Sequence, residues 1–246
     1  MLVEHSKRKA GHVMPLVAIA LAPIFALFTY FYVRDQYEKE PSLLLLLVFG
    51  GGFLSVVPVI LLGQIFYSIL NFLVDPRWLL HDLIENFIVI ALVEEGLKFL
   101  VVLQLAYRHP AFNEPYDGML YAITASLGFA ALENILYVLN GGLVVGFARM
   151  VLSVPAHALF GAFMGYYAGR AKFSVAHSKH YLFAALLFPT LLHGLYNFLL
   201  SINRGEFALL VVPLSLFMWW RALRQVRIAS LRSPFRPQNL PPGEDS

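Results

Sequence analysis

Apolar runs alternate with short polar or turn-forming breaks along almost the whole chain, at roughly 14–33, 42–74, 84–106, 117–139, 149–169, 181–201 and 206–222. A helix needs about 20 such residues to cross a ~30 Å hydrocarbon core, so most of these runs predict one spanning helix each. The 42–74 run is too long for that. As a single helix it would reach about 50 Å at ~1.5 Å per residue. It predicts two short spans broken near Gly50-Gly51-Gly52 or Pro58, or one span with an interfacial segment. The expected fold is all-α: a polytopic transmembrane helical bundle of seven to eight spans.

Charge refines the count. Lys7, Arg8 and Lys9 precede the first apolar run, and Arg221, Arg224, Arg227, Arg232 and Arg236 follow the last. Basic flanks favour the cytoplasm, so both ends are expected there, which requires an even number of spans and favours eight. The same reasoning puts Arg108 and the Arg170/Lys172/Lys179 loop inside, and the loops near Asn140–Gly142 and Asn203–Gly205 outside. The first run is long enough to span, so it reads as a retained anchor and not a cleaved signal. The chain divides into a basic cytoplasmic N-terminus (1–13), one transmembrane domain (14–222) and a tail (223–246). The tail begins with arginines at helical spacing, as beside anionic lipid, and becomes Pro-rich and disordered from Ser233.

Composition agrees with a multi-pass protein of the cell membrane. Of 246 residues, 59% are hydrophobic and 13% charged, with a mean hydropathy of +0.69. There is no cysteine, which excludes disulfides, thiolate metal sites and cysteine nucleophiles. The excess positive charge reports orientation, so the expected partners are the bilayer and no nucleic acid.

Against this background the ionisable residues inside the spans stand out. Glu94, Glu95 and Lys98 lie in IVIALVEEGLKFLVVLQLA, Glu133 in LGFAALENILYVL, His157 in VLSVPAHALFGAFMG, and His193 with Asn197 in LLFPTLLHGLYNFLL. Charge in a bilayer core costs at least a few kcal/mol, so such residues pair, line a wet cavity or do chemistry. Glu94 and Lys98 stand at i and i+4 and can pair, which alone is compatible with helix packing. Glu95 changes that reading. One lysine cannot neutralise two adjacent carboxylates, and a carboxylate held away from bulk water suits a general base.

His193 and Asn197 repeat the i, i+4 spacing on another run. A lone membrane histidine is more often a packing residue than a catalyst. Two on separate helices, with acids on two more, point to a shared site. His157 heads a stripe formed by Gly161, Gly165 and Gly169, which permits close helix contact and brings the histidine near a neighbour. By depth, Glu133, His157, His193 and Asn197 are displaced toward the face bearing loops 140–148 and 202–206, while Glu94 and Glu95 lie near mid-depth.

In order, the chain carries E-E-x-x-K at Glu94–Lys98, D-G-x-x-Y at Asp117–Tyr121 and G-F-A-x-x-E-N at Gly128–Asn134. H-A at His157 and H-G-x-Y-N at His193–Asn197 follow, and D-x-Y-E-K-E-P occupies Asp35–Pro41. This series resembles the PrsW family of intramembrane proteases, itself distantly similar to the CAAX prenyl endopeptidases. The resemblance implies an endopeptidase that hydrolyses a peptide bond of a membrane-anchored protein, an anti-sigma factor in the family's stress-response role. It implies Glu94, Glu95, His157, His193 and Asn197 as the catalytic group, with Lys98, Glu133 and Asn134 supporting.

A glutamate-activated water is the favoured mechanism, with an oxyanion held by His157 or His193 and Asn197. No cofactor is favoured, but zinc on His157, His193 and Glu133 is the alternative, since two histidines and a carboxylate make a plausible open site. The H-E-x-x-H spacing of helical zinc proteases is absent. Intramembrane Glu, Lys and His also suit a proton-coupled transporter or channel, although no inverted repeat is visible. An inactive membrane scaffold is the third reading. Nothing in the sequence fixes the oligomeric state.

Overall fold

A computed structural model describes residues 2–202 and 205–237, with side chains from Met14 onward. The side chains of Lys7, Arg8 and Lys9, the turn at 203–204 and the tail from 238 lie outside the described residues. The chain forms α1 (Leu2–Val33), α2 (Ser42–Leu73) and then a composite rod. The rod runs through α3 (Leu79–Ile84), a π-helical segment π1 (Glu85–Leu92), α4 (Val93–Val101) and a second segment π2 (Val102–Ala106). There follow α5 (Pro115–Val151), α6 (Ser153–Lys172), α7 (Ser178–Ser201), the short α8 (Gly205–Ala208) and α9 (Val211–Leu231). Among the described residues, five stretches are long and apolar enough to cross a membrane: Met14–Val33, Ser42–Leu73, Pro115–Lys172, Ser178–Ser201 and Glu206–Leu231.

One sequence expectation meets a different outcome here. α2 is one unbroken helix of 32 residues. Its glycines mark a close crossing, since a Cβ on Gly52 would sit 2.0 Å from the Ala125 carbonyl oxygen of α5. Gly128 of α5 approaches Phe49 of α2 in the same way, at 2.1 Å. Pro58 sits inside α2 without ending it, as bilayer helices tolerate. α9 runs through residue 222 to Leu231, with Ala222, Val226 and Ala229 buried.

α5 is the axis of the bundle. Every residue from Tyr116 to Ala131 is buried, the signature of a helix surrounded on all sides. α6 lies against it along the glycine stripe: a Cβ on Gly161, Gly165 or Gly169 would meet the carbonyl oxygens of Ala122, Gly118 or Pro115 at 2.8, 2.1 and 2.5 Å. α5 kinks at Gly142, whose φ of 73° favours glycine. After the kink the chain returns Arg149 to the level of Glu133.

At the far end of the bundle a second polar group joins the first loop to the start of α5. Asp35, Glu40, Glu114 and Asp117 are all buried. Asp117 accepts the backbone N–H groups of Asn113 and Glu114, each at 2.7 Å, and Tyr121 donates to Glu40. Burial, reinforced by the Glu114 charge, pushes Asp35 up to about 7. Burial also raises Glu40 and Glu114. A carboxyl raised on folding stabilises the fold at low pH and loses that contribution as pH climbs from its unfolded value, ~4, through its folded one.

Thermal denaturation should therefore show Tm rising as pH falls from 8 to 5. Asp35→Asn should raise Tm at pH 8 by a few degrees, at ~2–4 °C per kcal/mol, and flatten the profile. A Tm unchanged by Asp35→Asn at pH 8 would contradict this.

Candidate active site

The site forms where the composite rod, α5, α6 and α7 converge. Glu94, Glu95 and Lys98 come from the single α-helical stretch between two π-helical ones, a departure from regular helix that often marks functional sites. Asn86 of π1 donates to the Ser201 hydroxyl at 3.1 Å and fixes the rod against the end of α7. Glu95 and Lys98 are fully buried, and Glu94, His157 and His193 nearly so.

One connected network holds these groups. Lys98 Nζ donates to Glu95 Oε1 at 2.6 Å and to His157 Nδ1 at 3.3 Å. Because an ammonium only donates, His157 accepts through Nδ1, and its Nε2–H is left to donate to Glu133 Oε2 at 2.9 Å. Glu133 also receives Arg149 Nη2 at 2.7 Å. Glu95 Oε1 takes a second partner, His193 Nδ1, at 2.8 Å. Phe129 lies under the Lys98 ammonium at 4.4 Å, and Phe160 stacks on the His193 ring at 4.7 Å, so rings fix both groups from the side.

The two glutamates and the two histidines are not equivalent. Glu95 is tied to Lys98 and His193 through Oε1, with its buried Oε2 unbonded and the residue outside the cavity lining, and His157 is engaged at both ring nitrogens. Glu94 Oε2 has no hydrogen bond, standing 3.7 Å from Lys98 Nζ and 4.0 Å from His193 Nε2. Glu94, Glu133, His157, His193 and Asn197 line one polar cavity of about 340 Å³, which reaches to Asn86, Arg149, Ser153 and Ser201 at the end of the bundle.

The structure brings together all the site residues expected from the sequence except Asn134. That side chain points away from the cavity, donating to the Ala20 carbonyl of α1 at 2.8 Å and accepting Arg149 Nε at 2.8 Å. Sequence reasoning missed Arg149, Asn86, Tyr137 and Tyr196. Arg149 carried a signal, a lone basic residue at the edge of an apolar run, but only the Gly142 kink brings it to Glu133. Tyr196 carried one too, as the tyrosine of H-G-x-Y-N, whereas Tyr137 carried none, since Phe and Tyr abound in the spans.

The zinc set expected from the sequence was His157, His193 and Glu133. In this site the donors whose ligand atoms all lie within 4.8 Å of one another are Glu94, Glu95 and His157; among the described residues His81, Asp82 and Glu85 form another such group, away from the network. Two carboxylates and an imidazole suit a divalent cation, and the unbonded Glu94 oxygen is a donor to spare. Lys98 competes, because its ammonium already bonds both Glu95 and His157.

Comparison with known proteins bears directly on this site. The profile of the family described as "PrsW family intramembrane metalloprotease" matches residues 40–222. "Protease PrsW" of Geobacillus kaustophilus (strain HTA426) is 40% identical over 227 residues, covering 92% of this chain and 96% of that one. "Protease PrsW" of Bacillus subtilis (strain 168) is 35% identical over 215 residues, covering 87% and 95%. The protein of the same name from Clostridioides difficile (strain 630) is 36% identical over 214 residues, covering 84% and 87%. No solved structure matches the chain significantly. With the family's profile matched across every element that builds the cavity, and relatives of this identity aligned along nearly their whole length, the chain belongs to the PrsW family of intramembrane proteases.

Proposed function

We propose that this multi-pass membrane protease works by a glutamate-activated water, with Glu94 as the general base. Glu94 lines the cavity and carries a buried Oε2 without a hydrogen bond, while its neighbour Glu95 is held by Lys98 and His193 through Oε1 and does not line the cavity; that difference carries the proposal. Glu94 takes a proton from a water in the cavity, and the hydroxide adds to the scissile carbonyl carbon. The Asn197 amide and, in its protonated form, the His193 Nε2–H donate to the resulting oxyanion. Such donors are worth ~3–4 kcal/mol each in a preorganised site. Glu94 then returns its proton to the leaving amine as the C–N bond breaks. Glu95 and Glu133 are positioning residues: the first orients His193, the second His157 and Arg149.

A metal-dependent reading has an observation of its own, the convergence of Glu94, Glu95 and His157 together with the family's description. Those three would hold the ion, which would polarise the carbonyl and acidify a bound water. The roles of Asn197, Glu133 and Arg149 are the same in both readings.

We also propose seven spans. The 58-residue stretch from Pro115 to Lys172 supplies two, because it folds back at the Gly142 kink, which returns Arg149 to Glu133 and Gly161 to Ala122. The composite rod from Leu79 to Ala106 supplies another, its charges turned into the network. An odd number separates the termini. Lys172 donates to the Tyr107 carbonyl and Arg170 to the Tyr181 hydroxyl, so Arg108, Arg170, Lys172, Lys179 and the end of α9 gather at one end. By the positive-inside rule that end is cytoplasmic, which turns the N-terminus and the catalytic cavity to the opposite face.

The substrate proposed is a membrane-anchored protein, with an anti-sigma factor as the family-based candidate. Profiling membrane-protein fragments in cells carrying the wild type, Glu94→Ala, His193→Ala or Asn197→Ala tests the assignment. Fragments lost in all three variants at equal protein level are expected. Fragments retained in Glu94→Ala would overturn it.

A further inference from the structure

We infer that the substrate's transmembrane segment reaches Glu94 sideways from the bilayer, through a gap between the second half of α2 and π1. The inference rests on the protease reading above. In the first half of α2 the buried positions Leu45, Val48, Gly52 and Val56 form one stripe facing the bundle. At helical spacing that stripe continues through Val59, Gly63 and Tyr67, yet no residue between Val56 and Leu70 is buried. From Gln64 to Ile69 six consecutive residues are exposed, more than a full turn at ~3.6 residues per turn. The helix here is loosely packed, its contact with α3 being the edge-on meeting of the Tyr67 and His81 rings, 6.1 Å between centroids.

The space behind it is a cavity of about 350 Å³, with Val59, Gly63, Gln64 and Tyr67 on one wall and Glu85, Val89, Ile90 and Glu94 on the other. A helical turn ~10 Å across and 5.4 Å long fills about 420 Å³, so the gap is close to the size of one turn of a guest helix. A Cβ added to Gly63 would meet nothing within 4 Å. Close packing therefore does not explain this glycine as it does Gly52.

Continuity with the catalytic cavity identifies the occupant. Glu94 and Ile90 line both spaces, so the lateral gap ends on the proposed base, and the polar cavity begins on its other side. A segment arriving from lipid meets Glu94 at the point where water from the other cavity meets it. Scission also requires that the segment's backbone leave its helical hydrogen bonds. Gln64, an exposed amide that lines the gap, supplies both a donor and an acceptor for the freed peptide groups. Lipid tails need neither. The guest is thus one transmembrane helix of the membrane-anchored substrate, unwound where it meets Gln64.

The full-length chain in cells provides the test, read through fragments that depend on Glu94. Gly63→Phe should cut their production by roughly tenfold or more, as displaced substrates commonly do, and Gly63→Leu by less. Gly50→Phe, at a position on the same helix equally open around its Cβ but outside the gap, should leave production unchanged. A photo-crosslinking residue at Tyr67 in a Glu94→Gln chain should capture the protein that yields those fragments, while one at Leu46, in the separate groove against Phe25, should not. Unchanged production in Gly63→Phe would overturn the entrance, as would capture of lipid alone from Tyr67 or of the substrate only from Leu46. The absence of any Glu94-dependent fragment would instead overturn the parent reading.

Discussion

Glu94→Gln is expected to lower peptide-bond cleavage by ~10²–10⁴-fold, the usual worth of a positioned general base, while leaving membrane level and Tm as in the wild type. The reason is local. Glu94 Oε2 makes no hydrogen bond, so an amide in its place breaks none. Its nearest charges, Lys98 and His193, keep their closer partner Glu95. Initial rates and thermal denaturation on the same purified preparation check both halves of the statement. Activity near that of the wild type would move the base elsewhere, and a collapsed Tm would make Glu94 a packing residue.

Glu95→Ala should behave differently. It strips a fully buried ammonium of its 2.6 Å partner and leaves only Glu94, at 3.7 Å, as counter-charge. Breaking a buried pair on one side costs ~3–5 kcal/mol, so most of the protein should be lost from the membrane. The double variant Glu95→Ala/Lys98→Met removes the orphaned charge along with its partner and should recover most of the stability. It should not recover activity, because His193 has lost the carboxylate that orients its ring. If Glu95→Ala alone is as stable as the wild type, the buried ion pair does not hold this site together.

The sequence made the helical bundle legible because the bilayer imposes a coarse pattern that seven apolar runs satisfy. It made the site legible because charge inside such runs needs a reason. The stripe at Gly161, Gly165 and Gly169 also read correctly as a close contact, and it delivers His157 to Glu133 of α5. Three things could not be read.

The first is the crossing of α2 over α5, where a Gly triplet that resembles a break is the point of backbone contact. The second is the Gly142 kink, which makes Arg149 part of the site, because a positive φ leaves no mark on hydropathy. The third is the division of labour within each like pair. Glu94 and Glu95 are adjacent identical residues, and only the arrangement of Lys98 and His193 around them separates the carboxylate that both of them bond from the one that lines the cavity.

The measurement that goes most directly to the central claim is cleavage by the chelator-treated wild-type protein in nanodiscs, with bound metal counted on the same sample by mass spectrometry. The assay uses the substrate that the Glu94-dependent fragments identify. Full activity with metal far below one ion per chain is the result predicted for a glutamate-activated water. Loss of activity on chelation, with complete recovery on adding zinc back, would contradict it and hand Glu94, Glu95 and His157 to the metal.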